Sequence, residues 1–190
     1  MINKILVLLL VTFSLQGCVF VAGAAAGAAG VAVVYDHRKL SSIMDDEKIA
    51  NAIANQIKAD QTLSDQTHID VTCFNRVVLL TGEAPTADLR AQAETIAHNT
   101  PNVGRIYNEI TIQGPTSSLT RTSDSWITTK IKSQMLATKD LKSGTIKVVT
   151  ENGSVYLMGM VTRDQADMSV DIARQVSGVQ RVVKIFQYTN

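Results

Sequence analysis

The chain has 190 residues, with 18 Lys and Arg against 17 Asp and Glu, which leaves a formal net charge of +1. This length allows one or two small domains, and the near-zero charge gives no general case for nucleic-acid binding, so we expect none. The charge is unevenly divided, however. Residues 45–113 carry five basic and ten acidic side chains, whereas residues 116–190 carry ten basic and six acidic ones. This split predicts different partners for the two halves.

The N-terminus has the pattern of a secretory signal peptide over residues 1–17. A short positive region, MINK, precedes an apolar run, ILVLLLVTFSL, that is too short to span a bilayer comfortably. The run ends at Leu15-Gln16-Gly17-Cys18, which resembles the lipobox of bacterial lipoproteins; an ordinary secretory peptide with a chance cysteine is the alternative. The lipobox implies a lipidated Cys18 as a stable anchor. Since Val19 and not Asp follows, the lipoprotein sorting rule favours the outer membrane.

A small-residue segment, VFVAGAAAGAAGVAVVY, follows at residues 19–35. Gly23 and Gly27 have the GxxxG spacing of a transmembrane helix interface, which makes a membrane-spanning helix one interpretation. The segment is at the short limit for a bilayer span, however, and alanine and glycine replace leucine poorly in lipid. We therefore favour a tether, over residues 18–44, that lies near the membrane surface.

The rest of the chain contains the same unit twice. Three segments of the first copy match three of the second: 46–63 with 124–141, 68–84 with 145–161, and 95–110 with 171–186. Two copies indicate a duplication and not a solenoid, which needs at least three repeats. We expect a first domain over residues 45–113, a linker over 114–122 and a second domain over 123–190.

Each copy is predicted to run helix, strand, strand, helix, strand. In the helix DSWITTKIKSQML, Ile127, Ile131 and Met135 recur every four residues and form a core-facing stripe. Asn152-Gly153 predicts a hairpin turn, and Asn75-Arg76 is a weaker signal at the same place. Helices on one face of a small sheet give a two-layer α+β sandwich. The predicted fold is therefore two tandem αββαβ sandwich domains after a lipoprotein signal peptide.

The strand VYLMGM of the second copy is apolar on both faces. Val155 and Leu157 should face the helices, because alternate residues of a strand point to the same side. Tyr156, Met158 and Met160 are then left on the other side. We expect them to pack against the other domain.

These elements resemble the BON domain family. The resemblance is carried by the αββαβ order, by a glycine near the end of the second strand, and by the motifs NEI (108–110), WITTK (126–130), VTENG (149–153) and VSGVQRV (176–182). With the lipobox and the Ala/Gly-rich tether, the whole chain is similar to the dual-BON-domain outer-membrane lipoproteins of Gram-negative bacteria. The resemblance implies a role in envelope integrity, phospholipid binding by BON domains, and no catalytic activity.

The residues themselves indicate neither an enzyme nor a metal site. His37, His68 and His98 are isolated, without the Cys and His spacing of zinc sites. We interpret Asp45-Asp46-Glu47 as acids that cap the start of the first helix. Cys73 should be buried, because it shares a strand face with apolar residues. We expect no catalytic residue, no cofactor and no metal.

The helix DSWITTKIKSQML also carries an outward stripe, formed by Trp126, Thr129, Ser133 and Leu136, with Lys130 and Lys132 on its flanks. The repeat supplies a control, because Trp126 aligns with Lys48 and Leu136 with Lys58. The fold therefore does not demand this pattern. Tryptophan and leucine between lysines suit an anionic headgroup interface. The alternatives are that Trp126 packs against the linker or first domain, or that a protein partner docks here.

From this pattern we expect a monomeric outer-membrane lipoprotein, anchored through Cys18 at the periplasmic face. Its second domain should bind an anionic phospholipid membrane through Trp126, Lys130, Lys132, Ser133 and Leu136. The alternative function is a protein-interaction adaptor for an outer-membrane protein assembly complex.

Overall fold

The computed structural model describes residues 40–114 and 118–189. Cys18, the signal peptide and the tether up to residue 39 lie outside the described residues. The described residues all belong to one packed unit, Arg38–Asn190. None of their helices is both long and apolar enough to cross a membrane.

The first copy has the predicted element order with two short additions. Its elements are α1 (Leu40–Ala59), α2 (Gln61–Gln66), β1 (His68–Phe74), β2 (Val77–Ala84), α3 (Ala87–Asn99), β3 (Arg105–Asn108) and β4 (Thr111–Ile112). Helix α2 begins where the Asp60 side chain accepts hydrogen bonds from two backbone amides. The predicted last strand is divided into β3 and β4 around the buried Ile110, and both parts pair in parallel with β2.

The second copy repeats the arrangement. Its elements are α4 (Ser118–Ala137), a 3-10 turn (Ser143–Thr145), β5 (Ile146–Glu151), β6 (Ser154–Val161), α5 (Arg163–Arg174) and β7 (Arg181–Tyr188). Strand β6 pairs antiparallel with β5 and parallel with β7, as β2 does with β1 and β3. The αββαβ fold is thus confirmed in both copies.

The helices α1 and α4 begin earlier than predicted. Residues 40–44 of the predicted tether and 118–122 of the predicted linker are helical. Neither helix contains proline or glycine, so nothing in the chain stops it from extending towards the N-terminus. The predicted capping role of Asp45-Asp46-Glu47 is therefore wrong, because these residues lie in the second turn of α1.

Each copy has its own core between its helices and one face of its sheet. The predicted stripe of α4 is confirmed, since Ile127, Ile131 and Met135 are all at most 2% exposed. Ile53 occupies the equivalent place in α1. The predicted burial of Cys73 is also confirmed, and burial, followed by the effect of Asp46, raises the pKa of its thiol to about 12. The thiol is thus protonated at neutral pH.

The second faces of the two sheets pack against each other. We call the buried residues there the junction cluster: Phe74, Val77, Leu79, Tyr156, Met158 and Ile185. The prediction that Tyr156 and Met158 pack against the other domain is confirmed, whereas Met160 is exposed. The layers therefore follow the order helices, sheet, sheet, helices.

Polar contacts surround the junction cluster. Hydrogen bonds between side chains of the two copies include Asn152 Nδ2 to Glu83 Oε1 at 2.5 Å, Asn75 Nδ2 to Gln187 Oε1 at 2.6 Å, and Arg181 Nη2 to Glu109 Oε2 at 3.0 Å. An apolar centre with a hydrogen-bonded rim is the anatomy of a specific interface. Separating the copies would expose apolar sheet faces, so the binding properties of each copy are best measured in the intact unit.

Candidate membrane-binding helix

Helix α4 has two unlike faces. Its buried face lies on the core of the second copy, whereas Trp126 and Leu136 on the opposite face are 54% and 58% exposed. Their predicted outward position is confirmed, and Trp126 is not a core residue. Single exposed apolar side chains are ordinary, but here a tryptophan and a leucine share the outward side of one helix.

Three small side chains beside Trp126 and Leu136 have their hydroxyl groups bonded to the helix backbone. Ser125, Thr129 and Ser133 donate to backbone carbonyls one turn earlier, at 3.0, 2.9 and 2.9 Å. These hydroxyls then need no donor contact with water, which lowers the cost of placing the stripe at an apolar boundary. Ser133, predicted as a lipid contact, therefore has a small side chain whose oxygen can accept a hydrogen bond but whose hydroxyl proton is already donated.

Lys130 and Lys132 lie on the flanks of this stripe, and both are exposed. Within the described ranges, neither lysine has an ion-pair partner. None of the described residues therefore neutralises their charges. Long lysine side chains can also lay their methylene groups along an apolar surface while the ammonium group stays in water.

The equivalent face of α1 has a different chemistry. Lys48 and Lys58 stand where α4 has Trp126 and Leu136, and Lys48 lies 3.6 Å from the Asp45 carboxylate. The side chain of Lys48 is 71% exposed, so this position of the fold faces solvent in both copies. Exposed Trp and Leu side chains at these two positions are consequently found only in the second copy.

A buried aspartate connects each of these helices to a hairpin turn. Asp124 accepts hydrogen bonds from the backbone amides of Asn152 and Gly153, at 2.8 and 2.9 Å. Asp46 does the same for Asn75 and Arg76, at 2.6 and 2.9 Å. Each carboxylate thereby satisfies amides of a turn whose residues have positive φ. Because Trp126 lies two residues after Asp124, this contact holds the part of α4 that carries Trp126 against the hairpin.

Sequence reasoning missed these two aspartates. Their signal was present, because Asp46 and Asp124 occupy the same position of the repeat. It was obscured by the acidic neighbours of Asp46, which favoured the capping interpretation.

An acidic group lies where the second hairpin meets the first copy. Burial raises the pKa of the Glu151 carboxyl to about 7, and the negative charges of Glu83, Asp70 and Asp124 add to this shift. The Oε1 atom of Glu151 is buried and has no hydrogen-bond partner in the described part of the chain. Glu151 therefore takes up a proton near neutral pH. Among residues 40–114 and 118–189, no three His, Cys, Asp or Glu side chains are grouped as metal ligands.

Two αββαβ sandwiches in tandem, one with an apolar and basic helix on its outer face, define the class of this protein. The chain belongs to the BON domain family, whose model matches residues 45–114 and 123–190. It is 35% identical over 187 residues to the outer membrane lipoprotein DolP of Haemophilus influenzae. The matched region covers 98% of this chain and 96% of the Haemophilus protein.

Two further relatives are similar over most of their length. The chain is 38% identical over 153 residues to the 21 kDa hemolysin of Actinobacillus pleuropneumoniae, covering 80% of this chain and 79% of that one. It is 28% identical over 160 residues to the osmotically-inducible protein Y of Escherichia coli, covering 81% and 78%. The near full-length likeness to the Haemophilus protein confirms the resemblance to dual-BON-domain lipoproteins. The chain is a lipid-anchored outer-membrane protein of the cell envelope.

Proposed function

We propose that this protein is a non-catalytic lipoprotein whose second domain docks through α4 onto anionic phospholipid at the periplasmic face of the outer membrane. The proposal is supported by the exposed Trp126 and Leu136 beside Lys130 and Lys132, which have no ion-pair partner among the described residues. The equivalent helix of the first copy has none of these residues. Since both copies fold alike, the difference reflects a contact outside the fold.

The chemistry of this face suits a headgroup boundary. The indole of Trp126 places an apolar ring and an N–H donor at the level where lipid changes from apolar to polar. Leu136 gains about 1.5–3 kcal/mol if its side chain is fully buried in lipid. Lys130 and Lys132 each add about 1 kcal/mol near an anionic surface, an effect that salt weakens.

The proposed lipidation of Cys18 explains why this contact can be weak and still be occupied. The acyl chains hold the protein at the membrane, and the tether keeps the domains within reach of it. A tethered contact experiences a high effective concentration of its ligand. Replacing Cys18 with Ala should release the protein from outer-membrane fractions, whereas normal fractionation would assign the anchor to the Ala/Gly segment.

The proposal is tested by vesicle co-sedimentation of residues 38–190, which lack acyl chains. The vesicles contain phosphatidylcholine alone or a mixture with phosphatidylglycerol. We expect binding to the anionic vesicles only. Trp126→Glu should abolish it without lowering the melting temperature, because Trp126 is outside the core.

A matched control is available in α1. Asn51→Glu changes the net charge by the same amount at an exposed position of the other copy. It should bind as the wild type does. Equal loss in both variants would show a general charge effect, and full binding by Trp126→Glu would place the lipid surface elsewhere. Lys130→Ala and Lys132→Ala should each weaken binding about fivefold at low salt and less at high salt.

A further inference from the structure

A groove opens at one end of the junction between the two sheets. Its volume is about 400 Å³. The first copy contributes the β1–β2 turn and the start of β3, and the second copy contributes the end of β7. Its apolar walls include Val77, Tyr107, Ile185 and Phe186, and its cationic side chains are Arg76 and Arg105.

The backbone holds the two arginines next to each other. The carbonyl oxygen of Arg76 accepts hydrogen bonds from the amides of Gly104, at 2.8 Å, and Arg105, at 3.3 Å. Both side chains are exposed, and Arg105 donates only a long hydrogen bond, 3.4 Å, to the Tyr107 hydroxyl. Neither arginine forms an ion pair within the described ranges. The Asp46 carboxylate at this turn is bonded to the backbone amide of Arg76. Two neighbouring arginines whose guanidinium groups have no ion-pair partner among the described residues favour an anionic ligand.

The repeat shows that the fold does not require this pair. Gly153 occupies the place of Arg76 in the second copy, and Arg181 occupies the place of Arg105. Arg181 is neutralised by the Glu109 carboxylate at 3.0 Å. The second copy therefore has one paired arginine where the first has two unpaired ones.

Arg76 also has a backbone conformation that is unfavourable for a residue other than glycine. Its φ is +62°, in the left-handed region that glycine adopts without strain, and Gly153 has a φ of +70° at the equivalent position. A non-glycine residue that persists in this region points to a use for its side chain. Residues 45–113 have a formal net charge of −5, so the two arginines form a local positive site in an acidic domain.

We propose that this groove binds an acidic segment of a protein partner. One carboxylate of the segment lies between Arg76 and Arg105, whose planar donors match the geometry of carboxylate oxygens. A neighbouring aromatic or aliphatic side chain of the partner packs against the half-buried apolar walls at Tyr107 and Phe186. A peptide can supply both groups, because acidic and apolar side chains can be neighbours in its sequence.

The position of the groove favours a protein over a lipid headgroup. Helix α4 packs on one face of the second sheet, whereas Val77, Tyr107 and Ile185 of the groove lie in or against the junction cluster on the opposite face. Phe186 packs on the helix side, in the edge strand β7. If α4 rests on the membrane, as the proposed function states, the second sheet separates Arg76 and Arg105 of the first copy from the headgroups. The acidic surface of the first copy also disfavours approach to an anionic bilayer.

The test is a nuclear magnetic resonance titration of residues 38–190 with the acetylated and amidated peptide Asp-Glu-Phe-Asp-Glu. The control peptide, Asn-Gln-Phe-Asn-Gln, has the same shape without the charges. We expect saturable shifts of the amides at 75–77, 104–107 and 185–187 with the acidic peptide only. Arg105→Gln should weaken binding about tenfold.

Arg76→Gly gives the sharpest variant. It should weaken peptide binding to a similar degree and raise the melting temperature, because glycine adopts the positive φ without strain. Loss of binding in a more stable protein cannot result from unfolding. Absence of shifts, equal shifts with the uncharged peptide, or unchanged binding by both arginine variants would overturn the proposal.

The membrane provides the remaining control. Both arginine variants should bind phosphatidylglycerol vesicles as the wild type does, and Trp126→Glu should bind the acidic peptide as the wild type does. Vesicle binding that falls with Arg76→Gly and Arg105→Gln would make the groove a lipid site and overturn the protein partner. Peptide binding without any vesicle binding would overturn only the proposed function of α4.

Discussion

Helices α1 and α4 occupy the same place in two copies of one fold, and they differ on the side that the fold leaves free. Both bury an isoleucine stripe, and both carry the aspartate that holds a hairpin turn. On the outward side, α1 has lysines where α4 has tryptophan and leucine. What the copies share is therefore what folding requires, and what they do not share is available for binding.

The largest effect should come from breaking the shared stripe. Ile131→Glu and its counterpart Ile53→Glu each place a carboxylate without a partner at a position that is 0% exposed. We expect each to lower the free energy of unfolding by about 3–5 kcal/mol. Urea denaturation followed by circular dichroism measures this. Ile131→Glu with wild-type stability would mean that α4 is not held by its core face.

A smaller effect should follow loss of the shared aspartate. Asp124→Ala and Asp46→Ala each leave two turn amides without their acceptor, which should cost about 2–3 kcal/mol. The same denaturation experiment applies, with Asp45→Ala as the exposed control. If only one of the two variants is destabilised, the aspartates do not have the same structural role in the copies.

The difference between the helices can be sharpened by transplanting it. Lys48→Trp with Lys58→Leu gives α1 the outward apolar residues of α4. In a Trp126→Glu background, this double change together with Ala52→Lys and Ala54→Lys, the positions of Lys130 and Lys132, leaves the net charge unchanged. It should raise the affinity for phosphatidylglycerol vesicles about tenfold, since Trp and Leu contribute apolar contact beside two cations. Co-sedimentation with and without the transplant measures the gain. No gain would show that α4 needs more than its outward side chains.

The smallest predicted effect concerns Glu151, which aligns with Phe74 of the first copy. The folded-state pKa of Glu151, about 7, is above its ordinary value of 4.5, so the folded protein binds the proton more tightly. Stability should therefore fall as the pH rises from about 5 to about 7, by about 1 kcal/mol for this partly exposed group. Glu151→Gln should remove most of that slope in melting curves. An unchanged slope would assign the pH dependence to another group.

Local patterns in the sequence were sufficient for the elements and the family. The four-residue spacing of Ile127, Ile131 and Met135 predicted which face of α4 is buried, and Asn152-Gly153 predicted the hairpin. The repeat also predicted that Trp126 faces outward, because a lysine at the same position cannot be a core residue. Periodicity and turn chemistry act over a few residues, so they can be read directly.

The missed features depend on contacts between distant segments. Asp124 acts on a turn 28 residues later, and the groove combines Arg76, Arg105 and Phe186. Nothing local to these residues distinguishes a turn-binding aspartate from a helix cap, or an unpaired arginine from a paired one. The early starts of α1 and α4 were missed because serine and threonine favour loops in isolation, while the absence of proline and glycine permits a helix.

The packing of the two sheets also sets the distance between α4 and the helices of the first copy. Stacked layers lie about 10 Å apart, so three steps separate α4 from the outer helices of the first copy by about 30 Å. The screening length at physiological salt is about 8 Å. A bilayer under α4 would therefore be largely shielded from the acidic charge on the far copy. The same packed unit can carry a lipid-facing surface on one side and an acidic domain on the other without the acidic charge opposing lipid binding.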